Sequence, residues 1–473
     1  MAEDQNARIA ALATPWGSSA IAVIRTSGAG TIESIGQLFR PAGRLEEAAG
    51  NTVHHGRILH PATREVLDEV MVALYRAPRS YTGEDAVEIM CHGSVAGIER
   101  IMGALFDAGF RQAEPGEFTL RAFLAGKLDL TRAEAVREIV NAQTGEAHAM
   151  ALQRLAGALE ERINEVKGRL VTLLAAVDIQ LDYPEEETGE IVIAPEVVVE
   201  AQDRIRALLA GYRTGRIYQE GARVAIAGRT NAGKSSLFNA LLRQDRSIVS
   251  EKAGTTRDYI ESAVSVSGVP LRLFDTAGFR ESSEDIESEG IRRSQAMLAA
   301  ADLVLYVVDA TCGPTEAEQL VVEELRSAGR LVGVWNKVDL LDPAAFSGDH
   351  AAARGNHAAA PLPAPAPPPG FVPVSVTTGA GIEALLDEIG RRVLPDSLAW
   401  RGEPVIDSLR QKQLLETALE ALGHVLEGLA EGVPADAVAL DVEEALRALG
   451  EITGEVTTDE VLDAMFSGFC VGK

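Results

Sequence analysis

The stretch GRTNAGKS, Gly228–Ser235, has the residue types and spacing of a loop that wraps phosphate, G-x-x-x-x-G-K-[ST]. Its glycines let backbone N–H groups turn toward an anion, and a helix beginning at its end adds positive potential. Lys234 is placed to reach the outer phosphates and Ser235 to ligate magnesium. Downstream, AGTTRD supplies a second magnesium-ligating hydroxyl, Thr256. DTAG supplies Asp275, which would hold magnesium through water, and the Gly278 N–H for a terminal phosphate. NKVD, Asn336–Asp339, ends in a carboxylate that accepts both N–H groups of a guanine edge and rejects adenine, which offers no such pair. SVT, Ser375–Thr377, falls where a loop would meet the guanine oxygen. Four motifs in this order predict a GTP-hydrolysing domain. The nucleotide contacts expected are Asn231, Ala232, Gly233, Lys234, Ser235 and Ser236; Ser250, Glu251, Lys252, Ala253, Gly254, Thr255 and Thr256; Asp275, Thr276, Ala277 and Gly278; Asn336, Lys337 and Asp339; and Ser375, Val376 and Thr377.

Two chemical gaps remain. Phe279 follows DTAG and cannot hold the attacking water. A carboxylate from the acidic run Glu281, Glu284, Asp285, Glu287 and Glu289 is able to orient water in its place, although a solvated surface role fits most of them. No arginine finger is evident. Asn231, inside the phosphate loop, together with backbone carbonyls of Ser250–Thr255, offers oxygens to a monovalent cation that would take the place of a guanidinium. Ordinary sequence variation explains an asparagine there equally well.

These residues need elements to hold them. From Ala222 onward the apolar runs ARVAIAG, PLRLFDTAG, ADLVLYVVDA, RLVGVWNKVD and GFVPVSV alternate with helical segments, which predicts a doubly wound α/β domain. Before it, SAIAVIRTSG reads as a buried strand ending at Gly28, and EVMVALYRAPRSYTGEDAVEIMCHG as strand, loop, strand. The stretch from Leu130 to Val177 has long helical spacing without proline, and helix resumes around Val197–Thr214. After about Leu394 the chain is helical again. The simplest organisation inserts the α/β domain into a helical one. Ala351–Gly370, rich in Ala and Pro and without periodicity, reads as a surface loop.

Composition sets the outer limits. The 473 residues suffice for about three domains. The net charge of −26 argues against a basic nucleic-acid face, so any nucleic-acid substrate would be held mainly by a partner. Cys91, Cys312 and Cys470 are scattered and odd in number, which points to a reducing cytoplasm rather than a disulfide framework. No apolar run is long enough for a membrane span. His54 and His55 have no partner at ligand spacing and read as structural.

Taken whole, the chain resembles the MnmE (TrmE) family of tRNA-modification GTPases. The likeness rests on ATPWGSSAIAVIRTSG, SYTGEDAVEIMCHG, PGEFTLRAFLAGKLDLTRAEAV, GRTNAGKSSLFNAL, AGTTRD, DTAGFR and the pentapeptide FCVGK, usually F-C-I-G-K in the family. The resemblance implies an N-terminal α+β tetrahydrofolate-binding and dimerisation domain over 1–123. A helical domain split into 124–219 and 395–473 and an inserted Ras-like P-loop G domain over 220–394 would complete the chain. It implies a homodimer working with an FAD-containing MnmG (GidA)-like partner. Together they would install a carboxymethylaminomethyl or aminomethyl group on C5 of the wobble uridine (position 34) of certain tRNAs. The one-carbon unit would come from 5-formyl- or methylene-tetrahydrofolate. Hydrolysis is expected to be potassium-stimulated through G-domain dimerisation.

Carried over by position, the water-orienting residue is Glu287, acting with Lys234, Thr256 and Gly278. The potassium ligands fall on Asn231, Ser250 (commonly Thr in the family), the Lys252 carbonyl and Thr255. The folate contacts fall on Arg25, Glu88, Lys127 and Lys473. Glu88 suits a pterin edge, and the cations suit glutamate tails. Cys470 takes a candidate chemical role, against a plain small thiol. The alternative is a regulatory GTPase of ribosome assembly, of the Era or Der kind, which would need a basic RNA-binding module.

Overall fold

The computed structural model describes residues 7–41, 45–182, 194–244, 261–266, 268–275, 298, 300–341, 367–394 and 400–473. The chain forms two compact units. The first is Met1–Val140, Ala151–Arg206 and Gln413–Lys473; the second is Asn141–Met150 and Ala207–Lys412.

The first unit is built on a seven-stranded sheet. Its strands are β1 (Ile9–Leu12), β2 (Ser19–Ser27), β3 (Phe39–Arg40), β4 (Thr52–Leu59), β5 (Val66–Tyr75), β6 (Ala86–Gly93) and β7 (Arg111–Gln112), in the order β3-β4-β5-β6-β2-β1-β7. All pairs are antiparallel except β1 with β7. Alternation along the strands sorts side chains to two faces. Ala22, Ile24, Val70, Val72, Leu74, Val87 and Ile89 point to one face. There they meet Ile32 and Ile35 of α1 (Thr31–Leu38) and Ile98, Ile101 and Leu105 of α2 (Val95–Asp107). The opposite set, with Arg25 opposite Glu88 in the β2–β6 register, is left for chemistry.

Helices α3 (Glu117–Leu124), α4 (Leu130–Asn141), α5 (Gly145–Leu155) and α6 (Ala158–Asp182) follow. The long helical spacing read over this region is thus three helices. Gly157, at φ +96°, marks the last break, a turn that apolar periodicity does not register. Next come α7 (Pro195–Ala210) and α8 (Tyr212–Glu220). Near the end of the chain α12 (Leu409–Glu431), α13 (Ala435–Thr453) and α14 (Asp459–Phe466) return, the labels α9–α11 belonging, like α8, to the second unit. Leu462, Met465 and Phe466 pack with Leu120 of α3 and Leu130, Ala133 and Val136 of α4.

The second unit carries a six-stranded sheet. Its strands are β8 (Ala222–Ala227), β9 (Glu261–Val266), β10 (Val269–Asp275), β11 (Leu303–Asp309), β12 (Leu331–Asn336) and β13 (Phe371–Val374), in the order β13-β12-β11-β8-β10-β9. Five strands are parallel and the edge strand β9 is antiparallel. Both faces are buried, which explains the unbroken apolar runs. From β11, Leu303, Leu305 and Val307 enter one core with α9 (Lys234–Gln244) and α11 (Ile382–Val393). Val304, Tyr306 and Val308 enter another with α10 (Glu316–Ser327). The expected alternation is present. The strand β9, with serines between its small apolar residues, is an addition. Among the described residues no helix is long and apolar enough to cross a membrane.

Candidate functional site

The phosphate loop leaves β8 at the sheet centre, on the carboxyl side of the parallel strands, where open α/β sheets bind ligands. Gly228 has φ +136°, and a Cβ there would stand 2.2 Å from the Val307 carbonyl oxygen, so the chain turns flat against β11. Asn231 takes a left-handed φ of 64°. The Lys234 ammonium curls over the loop and donates to the Arg229 carbonyl at 2.9 Å. Ser235 and Ser236 are exposed on the first turn of α9, and Ala232 is buried beneath the loop.

Asn336 does something its motif did not announce. It is buried, and its Nδ2 donates to the Ala232 carbonyl at 2.8 Å, tying the end of β12 to the phosphate loop. Its Oδ1 is buried without a partner among the described residues. Gly233, at φ +101°, is what makes the approach possible, since a Cβ would fall 2.2 Å from Asn336 Nδ2. Lys337 also has a left-handed φ, 68°, and its Nζ bonds Asp309 at 2.6 Å. Burial alone would raise the Asp309 carboxyl, but hydrogen bonds from Lys337 and Thr311 outweigh it and hold the group below the usual range. Asp309 was missed in the sequence; its signal was an acid at the carboxyl end of a parallel strand. Asp339, in the 3-10 turn Val338–Leu340, is exposed. Ser375 is buried and accepts the Thr378 N–H, so it shapes its own loop, with Val376 half-buried and Thr377 exposed.

Asp275 ends β10. Ser250, Glu251, Lys252, Ala253, Gly254, Thr255, Thr256, Thr276, Ala277, Gly278 and Glu287 lie outside the described residues, as do 351–366 of the Ala/Pro-rich stretch.

The first unit has its own candidate site, a cavity of about 390 Å³ on the sheet face opposite α1 and α2. Arg25, Glu88 and Lys473 line it together with Tyr75, Tyr81, Thr82, Phe118, Val136, Ile139 and Leu155. Arg25 Nε donates to Glu88 Oε1 at 2.9 Å, so the expected cation and carboxylate are partners of each other. Tyr81 and Phe118 stand against the Arg25 guanidinium, 5.9 and 5.7 Å from ring centre to Cζ. Arg25 Nη1 donates to the Gly472 carbonyl at 3.0 Å. Val471 bridges to Pro115, and Gly116 N–H donates to the Cys470 carbonyl at 3.4 Å. Burial, then the nearby Arg25 charge, lowers the Lys473 ammonium. Burial likewise raises the Tyr81 hydroxyl.

Lys127 is not in the lining. It is exposed and its ammonium lies on the Pro78 carbonyl. Cys470 is exposed, as is Cys312, whereas burial pushes the Cys91 thiol up to about 11. His54 bonds Thr52 and His55 pairs with Glu69. Tyr75, Tyr81, Thr82 and Phe118 escaped the sequence reading, although the motifs SYTGED and PGEF contain three of them.

Two family models match the chain. Residues 8–127 match the family model of the GTP-binding protein TrmE N-terminus, and residues 130–470 that of the MnmE helical domain. A protein of Borrelia recurrentis described as tRNA modification GTPase MnmE is 42% identical over 469 residues, covering 98% of each chain. Its namesake in Carboxydothermus hydrogenoformans is 40% identical over 471 residues, 98% of this chain and 99% of that one. Among solved structures, a point variant of Aquifex aeolicus Era bound to GDP.AlF4- is 24% identical over 42% of this chain and 66% of its own, with a TM-score of 0.26.

Proposed function

This chain belongs to the MnmE family of tRNA-modification GTPases, and from that premise we propose that it hydrolyses GTP to drive modification of wobble uridine 34 with an FAD-containing MnmG (GidA)-like partner. The observation that carries the GTP reading is the Asn336–Ala232 bond, which holds the base-selecting motif against the phosphate loop. The orphaned Asn336 Oδ1 beneath the loop is consistent with a ligand seated over it.

In this reading Lys234 neutralises the outer phosphates and Asp339 accepts the guanine edge. Ser235 and Thr256 would hold magnesium directly and Asp275 through water, and the Gly278 N–H would meet the terminal phosphate. Bound magnesium would supply charge to the phosphates during hydrolysis. Glu287 orients the attacking water. Asn231, Ser250, Lys252 and Thr255 would hold potassium, whose charge would offset the charge that develops during hydrolysis.

The cavity of the first unit is assigned to 5-formyl- or methylene-tetrahydrofolate. The Arg25–Glu88 pair, the two aromatic rings and the desolvated Lys473 support that assignment. Lys127, outside the lining, is left to a flexible glutamate tail. The product group is carboxymethylaminomethyl or aminomethyl. We further assign a homodimer, a cytoplasmic location, and the domain division 1–123, 124–219, 220–394 and 395–473. A ribosome-assembly GTPase would call for a basic RNA-binding module, which a net charge of −26 disfavours.

The test is GTP turnover in potassium chloride against sodium chloride at equal ionic strength. Potassium is expected to accelerate hydrolysis by about tenfold or more, the share of a transition-state cation. Equal rates would remove the ion from the mechanism.

A further inference from the structure

The segment PGEFTLRAF places Glu117 and Arg121 one helical turn apart on α3. Both side chains are almost fully buried, 8% and 6% exposed. A buried guanidinium is tolerated when its N–H groups find acceptors, and an apolar pair of the same volume is often as stable or more so. What the ion pair adds is direction.

The directions lead to one loop. Arg121 Nη1 donates to both Glu84 oxygens at 3.1 Å. Its Nη2 donates to Glu117 Oε1 at 2.8 Å and to the Ala7 carbonyl at 2.9 Å. Glu84 Oε2 also accepts Ser27 Oγ at 2.7 Å, and Ser27 Oγ shares a hydrogen bond of 2.6 Å with Thr82 Oγ1. Glu84 N–H returns to Thr82 Oγ1, and Ser80 Oγ donates to the Glu84 carbonyl. The loop Ser80–Asp85 is therefore folded around Glu84, and Glu84 is held by Arg121. That loop carries Tyr81 and Thr82, two walls of the cavity, and Tyr81 stands against Arg25. Glu117 has a second hold on Arg111, at 2.6 and 2.8 Å, so Glu84 is the partner that depends most on Arg121.

We infer that Arg121 is a positioning residue for the cavity: its guanidinium, with Nη1 on Glu84 and the remaining nitrogens anchored on Glu117 and the Ala7 carbonyl, fixes the loop that brings Tyr81 and Thr82 to the ligand. The inference rests on reading the cavity as a folate site. A lysine has one side-chain nitrogen and cannot meet Glu84, Glu117 and the Ala7 carbonyl together, so it does not replace the arginine.

The experiment titrates 5-formyltetrahydrofolate against the full chain and its variants Arg121→Lys, Arg121→Met and Arg121→Met/Glu84→Gln. Melting temperature and trypsin cleavage after Arg79, an exposed residue beside the loop, are followed in parallel. Both single variants are expected to bind the folate about ten- to a hundredfold more weakly, the worth of a hydrogen bond between charged groups, and to be cut faster after Arg79. The double variant leaves no unmatched charge at the Glu84 end. It is expected to recover melting temperature but neither affinity nor protection. A purely structural arginine would return all three together, and that result overturns the inference, as does full affinity and protection in Arg121→Lys. If the unmodified chain binds no folate, the folate reading falls. The trypsin readout needs no ligand and still decides whether Arg121 holds the loop.

Discussion

Gly233 shows how much a single missing methyl group can decide. Its φ of +101° is costly for any other residue, by about 1–3 kcal/mol. A Cβ would also displace the Asn336 amide from 2.2 Å and break its bond to Ala232, a further loss of about 1 kcal/mol. Gly233→Ala is therefore expected to weaken GTP binding by about tenfold to several hundredfold, read by direct titration. An unchanged dissociation constant would mean that the Asn336 tie is not needed to hold the nucleotide. The sequence offers NKVD as a base reader; the bond that its first residue makes to the phosphate loop was not legible there. Nothing in a four-letter motif says that its asparagine reaches back 104 residues to a carbonyl. Asp309, which fixes Lys337, was hidden for the same reason: an acid at a strand end has many ordinary uses.

The strands and helices were more readable than their contacts. Buried parallel strands declare themselves as apolar runs, and five of the six in the second unit did so. Strand β9, an edge strand of alternating serine and small apolar residues, lacks that signal. The breaks between α4, α5 and α6 were lost because helix spacing continues across them. At those breaks two carboxyls meet. Glu160, on the first turn of α6, is pushed up to about 7, first by the hydrogen bond it shares with Asp129 before α4, then by burial. The Asp129 and Glu455 charges add to the rise and Arg132 opposes it. Unfolded, the group titrates near 4.5. Between about pH 4.5 and 7 the folded chain then binds more protons than the unfolded one, so this contact's stability is full below the window and lost as pH rises through it. Glu160→Gln keeps a donor for Asp129 at every pH. Discounted for exposure of about a third of the side chain, its gain at pH 8 is about 1 kcal/mol, or about 2–4 °C in melting temperature. Below pH 4.5 the gain should vanish in the same scans. A gain that is constant with pH would dismiss the shared proton.

At the scale of the whole chain, the cavity was half legible. Arg25, Glu88 and Lys473 do line one space, but the sequence offered them to separate parts of a ligand, and the structure pairs the first two. The tail that completes the cavity is held at Gly472, whose φ is +92° and whose Cβ would lie 2.6 Å from the Leu12 carbonyl oxygen. Gly472→Ala is expected to lift the tail and cost about tenfold or more in folate affinity by titration, the worth of the Arg25–Gly472 bond and the strain together. Unaltered affinity would make the tail a bystander.

That same bond, Arg25 to Gly472, spans 447 positions. Synthesis at about 5–20 residues per second separates its two ends by roughly 20–90 s. During that interval β2 can already lie beside β6, with an arginine and a glutamate facing an unfinished pocket. Completion of this pocket therefore waits on synthesis of Gly472 as well as on the folding of the sheet that forms its floor. A slow stretch of codons anywhere between the two would prolong the open state without changing a single residue of the finished protein.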